Sequence, residues 1–578
     1  MRSTFMGLEA SKRGLFTQQS ALYTTGHNIS NANTQGYTRQ RVNMEATLGY
    51  PGSGLNAPTT AGHIGTGVQA QSVQRMRDDF VDRQFRQETN KLGYWDSRTK
   101  AISQMEDILS EPSDFGLNKA FDDFWQAMQD VGSKPKEAAA RQVAISKAEA
   151  LADSFNYIHT QITQVKQNLG NEIDVSINDI NSILKQIAAL NDQIQSVEPN
   201  GYMPNDLYDA RDVLVDNLND FMPVTIERVP SGGNALAIAE GSYTIKFNGV
   251  ELVNGRQYAE LTAYSGTLTP SGTVDAERFV PQLDTDGKPV RGADGKTVYD
   301  SYTDTYQQYA NITKVNGEVD SEPFAGLLIS KIGFPPDSTV GQLVSSTDGN
   351  AVIPTAGQDQ FEKNEFEASK GKLLALIDSY GYSTTDTTGT TVVNGYYPEM
   401  LGNLDRLAQV FIEEFNAQHM QGHVLNAADP ADTNGKEFFV GTSASTIRVD
   451  NAIINNTNLL AASNASAEEG NGQGAFDLAN LQLKGVMDLD GASFQTFYTG
   501  LIGRLGVDGE ESERLRFNSE TIRLSVENNR ASMNSVSLDE EMTNLITFQQ
   551  AYNANARMIT VVDETLDKII NGMGRVGL

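Results

Sequence analysis

The chain has 578 residues, no cysteine and a formal net charge of -30 at pH 7. Its length and apolar content allow several hydrophobic cores, whereas its negative charge opposes binding to nucleic acid or an anionic membrane, whose phosphates would repel it. The absence of cysteine excludes disulfides and suits a chain that leaves the cytoplasm without passing a disulfide-forming compartment.

No continuous apolar run opens the chain, and no apolar run of 18 residues occurs in it. The sequence therefore predicts neither a classical secretory signal nor a membrane-spanning helix. If the protein is extracellular, we expect it to use another export route.

The N-terminal segment carries a seven-residue apolar repeat that comprises Leu8, Leu15, Leu22 and Ile29. A heptad keeps its apolar side towards a partner helix, so the pattern predicts a coiled-coil helix that ends near Asn31. Taken alone, the stripe is explained at least as well by one helix of an ordinary bundle.

Two further stripes predict a helical body. The first comprises Leu117, Phe121, Phe124, Met128 and Val131. The second follows Pro135 and keeps the helical period from Ala144 to Ile194, with an irregularity beside Gly170 that predicts a bend. If unbroken, this helix would extend about 60 residues, or roughly 90 Å.

Short alternating runs and turn residues predict one or two β-rich domains in the middle of the chain. Asn248 and Gly249 follow such a run and suit a two-residue hairpin turn, which needs positive φ angles. Helical periodicity returns at Lys372 and again from Leu401 to Phe415, and the last helical region begins at Phe494.

A second heptad stripe lies near the C-terminus and comprises Leu538, Leu545, Tyr552, Ile559 and Leu566. Ser537 and Glu540 form a capping-box pattern at the start of this helix. The acidic residues Asp539, Glu540 and Glu541 suit a helix N-terminus better than they suit catalysis.

Candidate chemical sites are weak. His419 and His423 are four residues apart, but Gly422 interrupts the turn and no third ligand is evident, so an exposed helix end is the better interpretation. The calcium-loop fragment at 284–287 lacks a glutamate at its twelfth position and is better explained as a turn. We expect no catalytic, cofactor-binding or metal-binding residues and no enzymatic activity.

Several runs resemble the rod, hook and junction proteins of the bacterial flagellum. The N-terminal run at 26–37 reads GHNISNANTQGY, and the C-terminal run at 537–557 begins SLDEEM and contains FQQAY. The runs PNDLYDARD at 204–212 and IGTGV at 64–68, which leads to Arg75, narrow the resemblance to the hook–filament junction proteins. Tyr208 and Ala210 depart from the Leu and Gln expected there.

The resemblance implies a secreted structural protein exported through the flagellum's own channel. Its implied partners are other copies of itself in a ring around the flagellar axis, the hook protein, a second junction protein next to the filament, and an export chaperone. The terminal heptad residues would then form the assembly surface. The alternatives are another axial protein of the hook or rod, or a secreted adhesin or hydrolase whose active part is the middle region.

The predicted fold is a multidomain α+β protein, with a stalk of paired terminal helices, a helical body and β-rich insertions that face outward. The expected domains are 1–45 with 535–578 (terminal coiled coil), 46–222 with 368–426 and 490–534 (helical rod), 223–367 (β-rich insertion) and 427–489 (mixed β and loop).

Overall fold

The computed structural model describes most of the chain. The described residues are 5–50, 65–109, 116–265, 269–282, 285, 290, 298–310, 313–315, 323–332, 352–354, 360–361, 370–385, 391–425, 434–466, 468 and 470–572.

Helices dominate the described residues. They are α1 (Phe5–Ser30), α2 (Asp79–Leu109), α3 (Leu117–Ser133), α4 (Ala138–Val197), α5 (Asn205–Phe221), α6 (Lys372–Tyr380), α7 (Tyr396–His419), α8 (Asn451–Asn455), α9 (Gln473–Ala479), α10 (Phe494–Asn534) and α11 (Leu538–Gly572).

The strands lie mainly between α5 and α7. They are β1 (Gln40–Ala46), β2 (Val68–Arg75), β3 (Thr225–Val229), β4 (Ser242–Phe247), β5 (Val250–Asn254), β6 (Gln257–Ser265), β7 (Thr269–Pro281), β8 (Tyr299–Ala310), β9 (Thr313–Lys314), β10 (Phe324–Ile332), β11 (Val352–Pro354), β12 (Gln360–Phe361), β13 (Tyr382–Thr385), β14 (Thr391–Asn394), β15 (Phe439–Val440) and β16 (Arg448–Val449).

The helical body is built around aromatic side chains of α3, α4 and α7. The rings of Phe121 and Phe124 on α3 pack against Phe411 on α7, and Phe155 on α4 joins them. All four rings are fully buried, as the apolar stripes predicted. Helix α4 is continuous over 60 residues across the heptad irregularity at Gly170, which is itself buried.

Helices α2 and α10 form a long antiparallel pair beside this core. Arg530 near the end of α10 contacts Asp82 at the start of α2, whereas Gly509 in the first half of α10 faces Ile102 near the end of α2. The terminal helices form a second pair, α1 with α11, and the antiparallel strands β1 and β2 pack on α1.

The largest sheet in the described residues has the strand order β14-β13-β10-β6-β5-β4-β3, with β9 and β12 attached to β6 and β10. The predicted hairpin is confirmed: Asn248 and Gly249 both have positive φ and connect the antiparallel strands β4 and β5. A separate sheet has the order β11-β8-β7.

The large sheet differs from the sequence prediction in two respects. It packs on α4, where Asn181 and Asn191 hydrogen-bond to the backbones of Leu261 and Tyr243, so its core is continuous with that of the body. It also extends past residue 367, because β13 and β14 join it after the short helix α6. The α+β fold class is confirmed, with long helices at both ends.

Candidate functional site

The N-terminal stripe lies beside the contact between α1 and α11. Leu8, Leu15, Leu22 and Ile29 are each half-buried. The fully buried positions of α1 are instead small or polar: Gly14, Thr17, Ala21, Thr24, Thr25 and Asn28. A Cβ atom on Gly14 would lie 2.8 Å from Asn555 Oδ1 of α11, so the absence of a side chain there permits the two helices to approach closely.

The C-terminal stripe follows the same contact from the other side. Leu545, Tyr552, Ile559 and Leu566 are half-buried and share a helix face with Asn555, which approaches α1. Leu538, the first member of the stripe, is exposed. The structure thus places four of the five predicted residues along the helix pair within one chain.

Both terminal helices also carry large apolar side chains that project into solvent, and we call these side chains the outer face. On α1, Phe16 is 55% exposed and Tyr23 is 77% exposed. On α11 the exposed set comprises Leu538, Met542, Ile546, Met558, Val561, Ile569 and Ile570. Apolar surface of this extent on a helix pair is typical of a protein–protein interface.

A buried polar cluster connects α11 to the end of α1. Glu541 is buried and accepts hydrogen bonds from Arg39 Nε at 2.8 Å and from Asn28 Nδ2 at 3.0 Å. Asn28 also donates to Gln40 O at 2.8 Å, and its Oδ1 accepts from Tyr37 OH at 2.8 Å. Every hydrogen-bonding atom of the Asn28 side chain is therefore used, which fixes the C-terminal turn of α1 to β1 and to α11.

The predicted capping box is formed only in one direction. Ser537 Oγ accepts from the backbone N–H of Glu540 at 3.5 Å, a long hydrogen bond. The carboxylate of Glu540 contacts Arg39 Nη1 at 2.7 Å. The acidic start of α11 therefore binds Arg39, as well as lying at the positive end of the helix dipole.

The motif at 204–212 joins this terminal unit to the body. Asn205 Nδ2 donates to Gln40 Oε1 at 3.1 Å and to Val73 O at 3.0 Å, so it holds both β1 and β2. The backbone N–H of Thr38 donates to Asp209 Oδ2 at 3.0 Å. The run at 204–212 is thus in direct contact with residues that follow the N-terminal run at 26–37, although the two are far apart in sequence.

Beneath these contacts lies a buried network of arginines and carboxylates, which we call the ionic joint. It comprises Arg75, Arg77, Arg86, Arg211, Arg530, Asp82, Asp209, Asp212, Asp216 and Glu240. Arg75 Nη1 lies 2.7 Å from Asp209 Oδ1 and 2.9 Å from Asp212 Oδ2. Arg530 Nη2 on α10 lies 2.7 Å from Asp216 Oδ2 on α5, so the joint includes β2, α2, α5 and α10.

The arginines set the ionisation of the central carboxylate. Burial alone would raise the pKa of Asp212, but Arg77, Arg75, Arg86 and Arg211 outweigh it and hold that pKa well below its usual range. Burial does raise the pKa of Asp209, although Arg75 and the Thr38 N–H oppose the shift. Asp212 therefore stays charged at neutral pH, and the joint is a set of charge-assisted hydrogen bonds.

Sequence reasoning singled out Arg75 and Asp212 only as motif residues and missed the joint itself. Alternating Asp and Arg residues on a helix are typical of a solvent-facing surface, so the spacing on α5 carried no signal of burial. The available sequence signal was that Arg75 and Asp212, which carry opposite charges, each belong to a recognisable motif in distant parts of the chain.

The interpretation of His419 as part of an exposed helix end is wrong. Its ring is fully buried, its Nδ1 donates to Lys436 O at 2.6 Å, and its Nε2 accepts from the backbone N–H of Ala461 at 2.9 Å. Burial lowers the pKa of His419 to about 4, despite the hydrogen bond to Lys436. Both ring nitrogens are occupied, so His419 anchors the loop around Ala461 to α7 and has no free nitrogen for a metal.

The described residues contain no group of three or more His, Cys, Asp or Glu side chains arranged to hold a metal ion. The calcium-loop fragment at 284–287 lies, except for Thr285, outside the described residues. Among the helices that the structure describes, none combines the length and apolar character needed to cross a membrane.

Three family models match parts of the chain. The flagellar hook-associated protein FlgK helical domain matches residues 102–309, the flagella basal body rod protein model matches 8–38, and the flagellar basal body rod FlgEFG protein C-terminal model matches 530–572. The two rod-protein matches include nearly all of α1 and α11.

Full-length relatives share the same name. Flagellar hook-associated protein 1 of Bacillus subtilis (strain 168) is 39% identical over 580 residues and is matched over 99% of each chain. The protein of that name from Escherichia coli (strain K12) is 28% identical, with 96% of this chain and 98% of the relative covered. The flagellar hook junction protein FlgK from Burkholderia pseudomallei has a similar fold, with a TM-score of 0.50, 12% identity and coverage of 79% of this chain and 100% of that one.

Proposed function

The chain belongs to the family of flagellar hook-associated protein 1 (FlgK), and we propose that its outer face is the surface through which copies assemble at the hook–filament junction. Members of this family are structural proteins of the flagellum. The chain is accordingly a junction component of the extracellular flagellum, and the remaining question is which of its surfaces make the junction.

The observation that supports the proposal is the exposure of large apolar side chains on the outer face. Met542, Ile546 and Val561 of α11 are about half exposed in the single chain, as is Phe16 of α1. Burying one such side chain contributes roughly 1.5 to 3 kcal/mol, and each subunit of a ring repeats the gain. Repeated contacts of this kind can hold a polymer together without covalent links.

In this proposal the terminal heptad residues stabilise the assembly surface from within. Leu545, Tyr552, Ile559 and Leu566 are half-buried and lie on the same side of α11 as Asn555, which approaches Gly14 of α1. They keep the two helices paired, and the pairing presents the outer face.

The ionic joint has a mechanical role in the same proposal. It connects the terminal pair to the body through buried charge-assisted bonds, which resist bending better than exposed ion pairs because water does not screen them. Force that reaches α1 and α11 is therefore transmitted to α5 and α10.

The proposed partners are further copies of this chain, the hook protein on one side and a second junction protein on the filament side. Before export, a cytoplasmic chaperone would cover α11, whose exposed apolar side chains would otherwise self-associate. We further propose that the chain acts by assembly alone and has no catalytic role.

The test is a pair of substitutions that lie about 100° apart around α11. Met542→Asp places a charge on the outer face, whereas Ile559→Asp places one between α11 and α1. Both strains should build hooks, secrete flagellin monomers and lack filaments. Amide exchange in α11 of the purified protein should be unchanged by Met542→Asp and faster with Ile559→Asp. Leu483→Asp, at a position 82% exposed on another element, is the control. Normal filaments with Met542→Asp would overturn the proposal.

The chaperone proposal is tested separately. The full chain and a variant that lacks residues 538–578 are each purified from the cytoplasm of an export-blocked strain, and bound proteins are identified by mass spectrometry. The export chaperone should accompany the full chain and be lost from the truncated one. Equal recovery with both would show that it binds elsewhere.

A further inference from the structure

Three aromatic rings and two cations meet on the body where α2 approaches the start of α7, and we call them the aromatic–cation cluster. The guanidinium carbon of Arg98 lies 5.2 Å from the centre of the Trp95 ring and 4.9 Å from that of Tyr396. The Nζ atom of Lys370 lies 4.6 Å from the centre of the Trp95 ring and 5.1 Å from that of Tyr94. The rings attract and orient both cations, so two positive charges lie beside one indole ring.

Neither cation has an anionic partner within the described part of the chain. Arg98 and Lys370 form no ion pair with a described carboxylate, and Arg98 Nε is buried without a hydrogen-bond partner there. By contrast, Lys100 of the same helix lies 2.6 Å from Asp96 Oδ2. The chain carries 74 acidic and 44 basic residues, so pairing is the arrangement expected for its cations. The two cations of the cluster are therefore available to an external anion.

The charges around the cluster favour such an anion. Partial burial lowers the pKa of Lys370, and the neighbouring charges of Arg98 and Lys91 lower it further, although Asp378 opposes the shift. Asp378 also accepts a hydrogen bond from Tyr94 OH at 3.1 Å. A carboxylate bound beside Lys370 and Arg98 would stabilise both charged forms, because charge-assisted hydrogen bonds are stronger than neutral ones.

An open strand edge adjoins the cluster. Within the described residues, β14 is the terminal strand of the large sheet and pairs with β13 on one side only. Val392 and Val393 on β14 are 42% and 48% exposed. Only Gly395 separates the strand from Tyr396 of the cluster. Strand edges of this kind can accept a further strand from another chain.

We propose that the aromatic–cation cluster and the open edge of β14 together bind an extended acidic peptide of a partner protein. The peptide backbone pairs with β14, and its apolar side chains cover Val392 and Val393. Its carboxylates contact Arg98 and Lys370. The proposal goes beyond the proposed function and does not depend on it, because the site lies on the body and includes no residue of the outer face.

The two parts of the site favour a peptide over other anions. A phosphate ion or an acidic polysaccharide can pair with Arg98 and Lys370. Neither has the backbone N–H and C=O groups that match a strand edge, and neither has apolar side chains to cover the two valines. An acidic peptide supplies all three kinds of contact.

Fluorescence anisotropy on the purified full chain tests the site. The probe is a labelled octapeptide in which glutamate and valine alternate, and the same peptide with glutamine in place of glutamate is its control. We expect the acidic peptide to bind roughly tenfold or more tightly than the glutamine peptide, and its affinity to fall as salt is added. Equal affinities, or no binding of the acidic peptide, would overturn the inference.

Substitutions locate the binding. Lys370→Gln, at an exposed position, and Arg98→Gln should each weaken binding of the acidic peptide several-fold, and Val393→Asp should do so by placing a negative charge on the strand edge. Lys100→Gln is the matched control, because it removes a cation of α2 that is already paired with Asp96. Thermal unfolding verifies that each variant is folded. If Lys370→Gln and Val393→Asp bind the peptide as wild type does, the inference fails.

The competing occupants have readouts of their own. Inorganic phosphate or polygalacturonate may be added to the bound peptide at the same concentration of anionic groups. Displacement as strong as that by unlabelled peptide would mean a general anion site with an adventitious ion only. Self-association of the wild type in sedimentation velocity, abolished by Lys370→Gln, would mean that a second copy occupies the site. Either result would overturn the assignment, whereas a retained peptide on a monomeric chain supports it.

Discussion

Arg39 and Glu541 lie 502 positions apart in the sequence, yet Arg39 Nε donates to Glu541 Oε1 at 2.8 Å. Glu541 is the one residue of α11 whose side chain is fully buried within the described part of the chain, and Asn28 of α1 donates to its other oxygen. The two ends of the protein are thus joined by an ion pair at the base of the terminal helices.

Removing either partner should loosen α11 without unfolding the body. Arg39→Gln removes one hydrogen-bond donor from the buried carboxylate of Glu541 and leaves Asn28 as its other donor. We expect the free energy that holds α11 to α1 to fall by roughly 1 to 3 kcal/mol. Amide hydrogen exchange in the first turns of α11 measures this loss. A double-mutant cycle with Glu541→Gln should show a coupling energy of at least about 1 kcal/mol. Additive effects would mean that the pair does not hold the helices together.

Among the carboxylates of the ionic joint, Asp212 should be the one whose replacement lowers the unfolding free energy most. Asp212→Asn leaves Arg75, Arg77 and Arg86 without their shared anion, which we expect to cost about 3 to 5 kcal/mol of unfolding free energy. Urea unfolding at pH 7 measures the change. Asp153→Asn on the exposed face of α4 is the control and should stay within about 0.5 kcal/mol. A loss below about 1 kcal/mol for Asp212→Asn would contradict this role.

The depressed pKa of Asp212 also has a predictable pH dependence. A carboxylate whose pKa is lower in the folded state stabilises the fold fully above its unfolded pKa, near 3.9. That contribution disappears as the pH falls below this value. The wild-type protein should therefore lose stability more steeply below about pH 4 than Asp212→Asn does.

The buried ring of His419 should make the folding stability depend on pH in a second, less acidic range. Its pKa is about 4 in the folded chain and near 6.5 in the unfolded chain, so protons bind the unfolded state first. Its contribution is complete above pH 6.5 and declines as the pH falls towards 4. At pH 5 the loss should be about 2 kcal/mol.

Urea unfolding of His419→Gln tests this range. Glutamine can supply a donor and an acceptor in place of the ring, and it does not titrate. Between pH 7 and pH 5 the variant should lose less stability than wild type by about 2 kcal/mol. Leu483→Gln, at an exposed position on another element, changes no titratable group and should keep the wild-type dependence. Identical slopes in all three proteins would refute the assignment.

The sequence predicted those parts of the fold that depend on apolar periodicity. Phe121 belongs to the apolar stripe of α3 and Phe155 to that of α4, and the packing of the two helices buries both rings. Asn248 and Gly249 define their hairpin through local turn chemistry alone. Such signals are local, so they can be recognised in the sequence without knowledge of the tertiary contacts.

Tertiary contacts determined the features that the sequence did not predict. Asp212 occupies a polar position of α5 and is buried only because arginines from β2 and α2 converge on it. The heptads of α1 and α11 predicted that the two terminal helices pair, but they did not show that the fully buried positions of α1 are small or polar residues such as Gly14 and Thr17. Nor did they show that Met542 and Ile546, off the main stripe, are the side chains left exposed.

Gly36 provides the last prediction, because its position is constrained in two independent ways. It adopts a φ of +79°, which L-residues with a side chain rarely adopt, and a Cβ atom there would clash with Val213 on α5. Gly36→Ala should therefore displace the loop that carries Tyr37 and Thr38, at a cost of about 1 to 3 kcal/mol. Thermal unfolding and the rate of amide exchange at Thr38 measure the effect.

A second substitution separates the two constraints. Gly36→Ala with Val213→Ala removes the clash and leaves the backbone strain, so it should recover part of the stability lost relative to Val213→Ala alone. Gly26→Ala is the matched control, because Gly26 lies inside α1 with no neighbouring atom near its Cβ position. Alanine favours a helix over glycine by about 1 kcal/mol, so this variant should be as stable as wild type or slightly more so. If Gly36→Ala behaves like Gly26→Ala, the close contact between the N-terminal loop and α5 does not determine how the terminal helices are seated on the body.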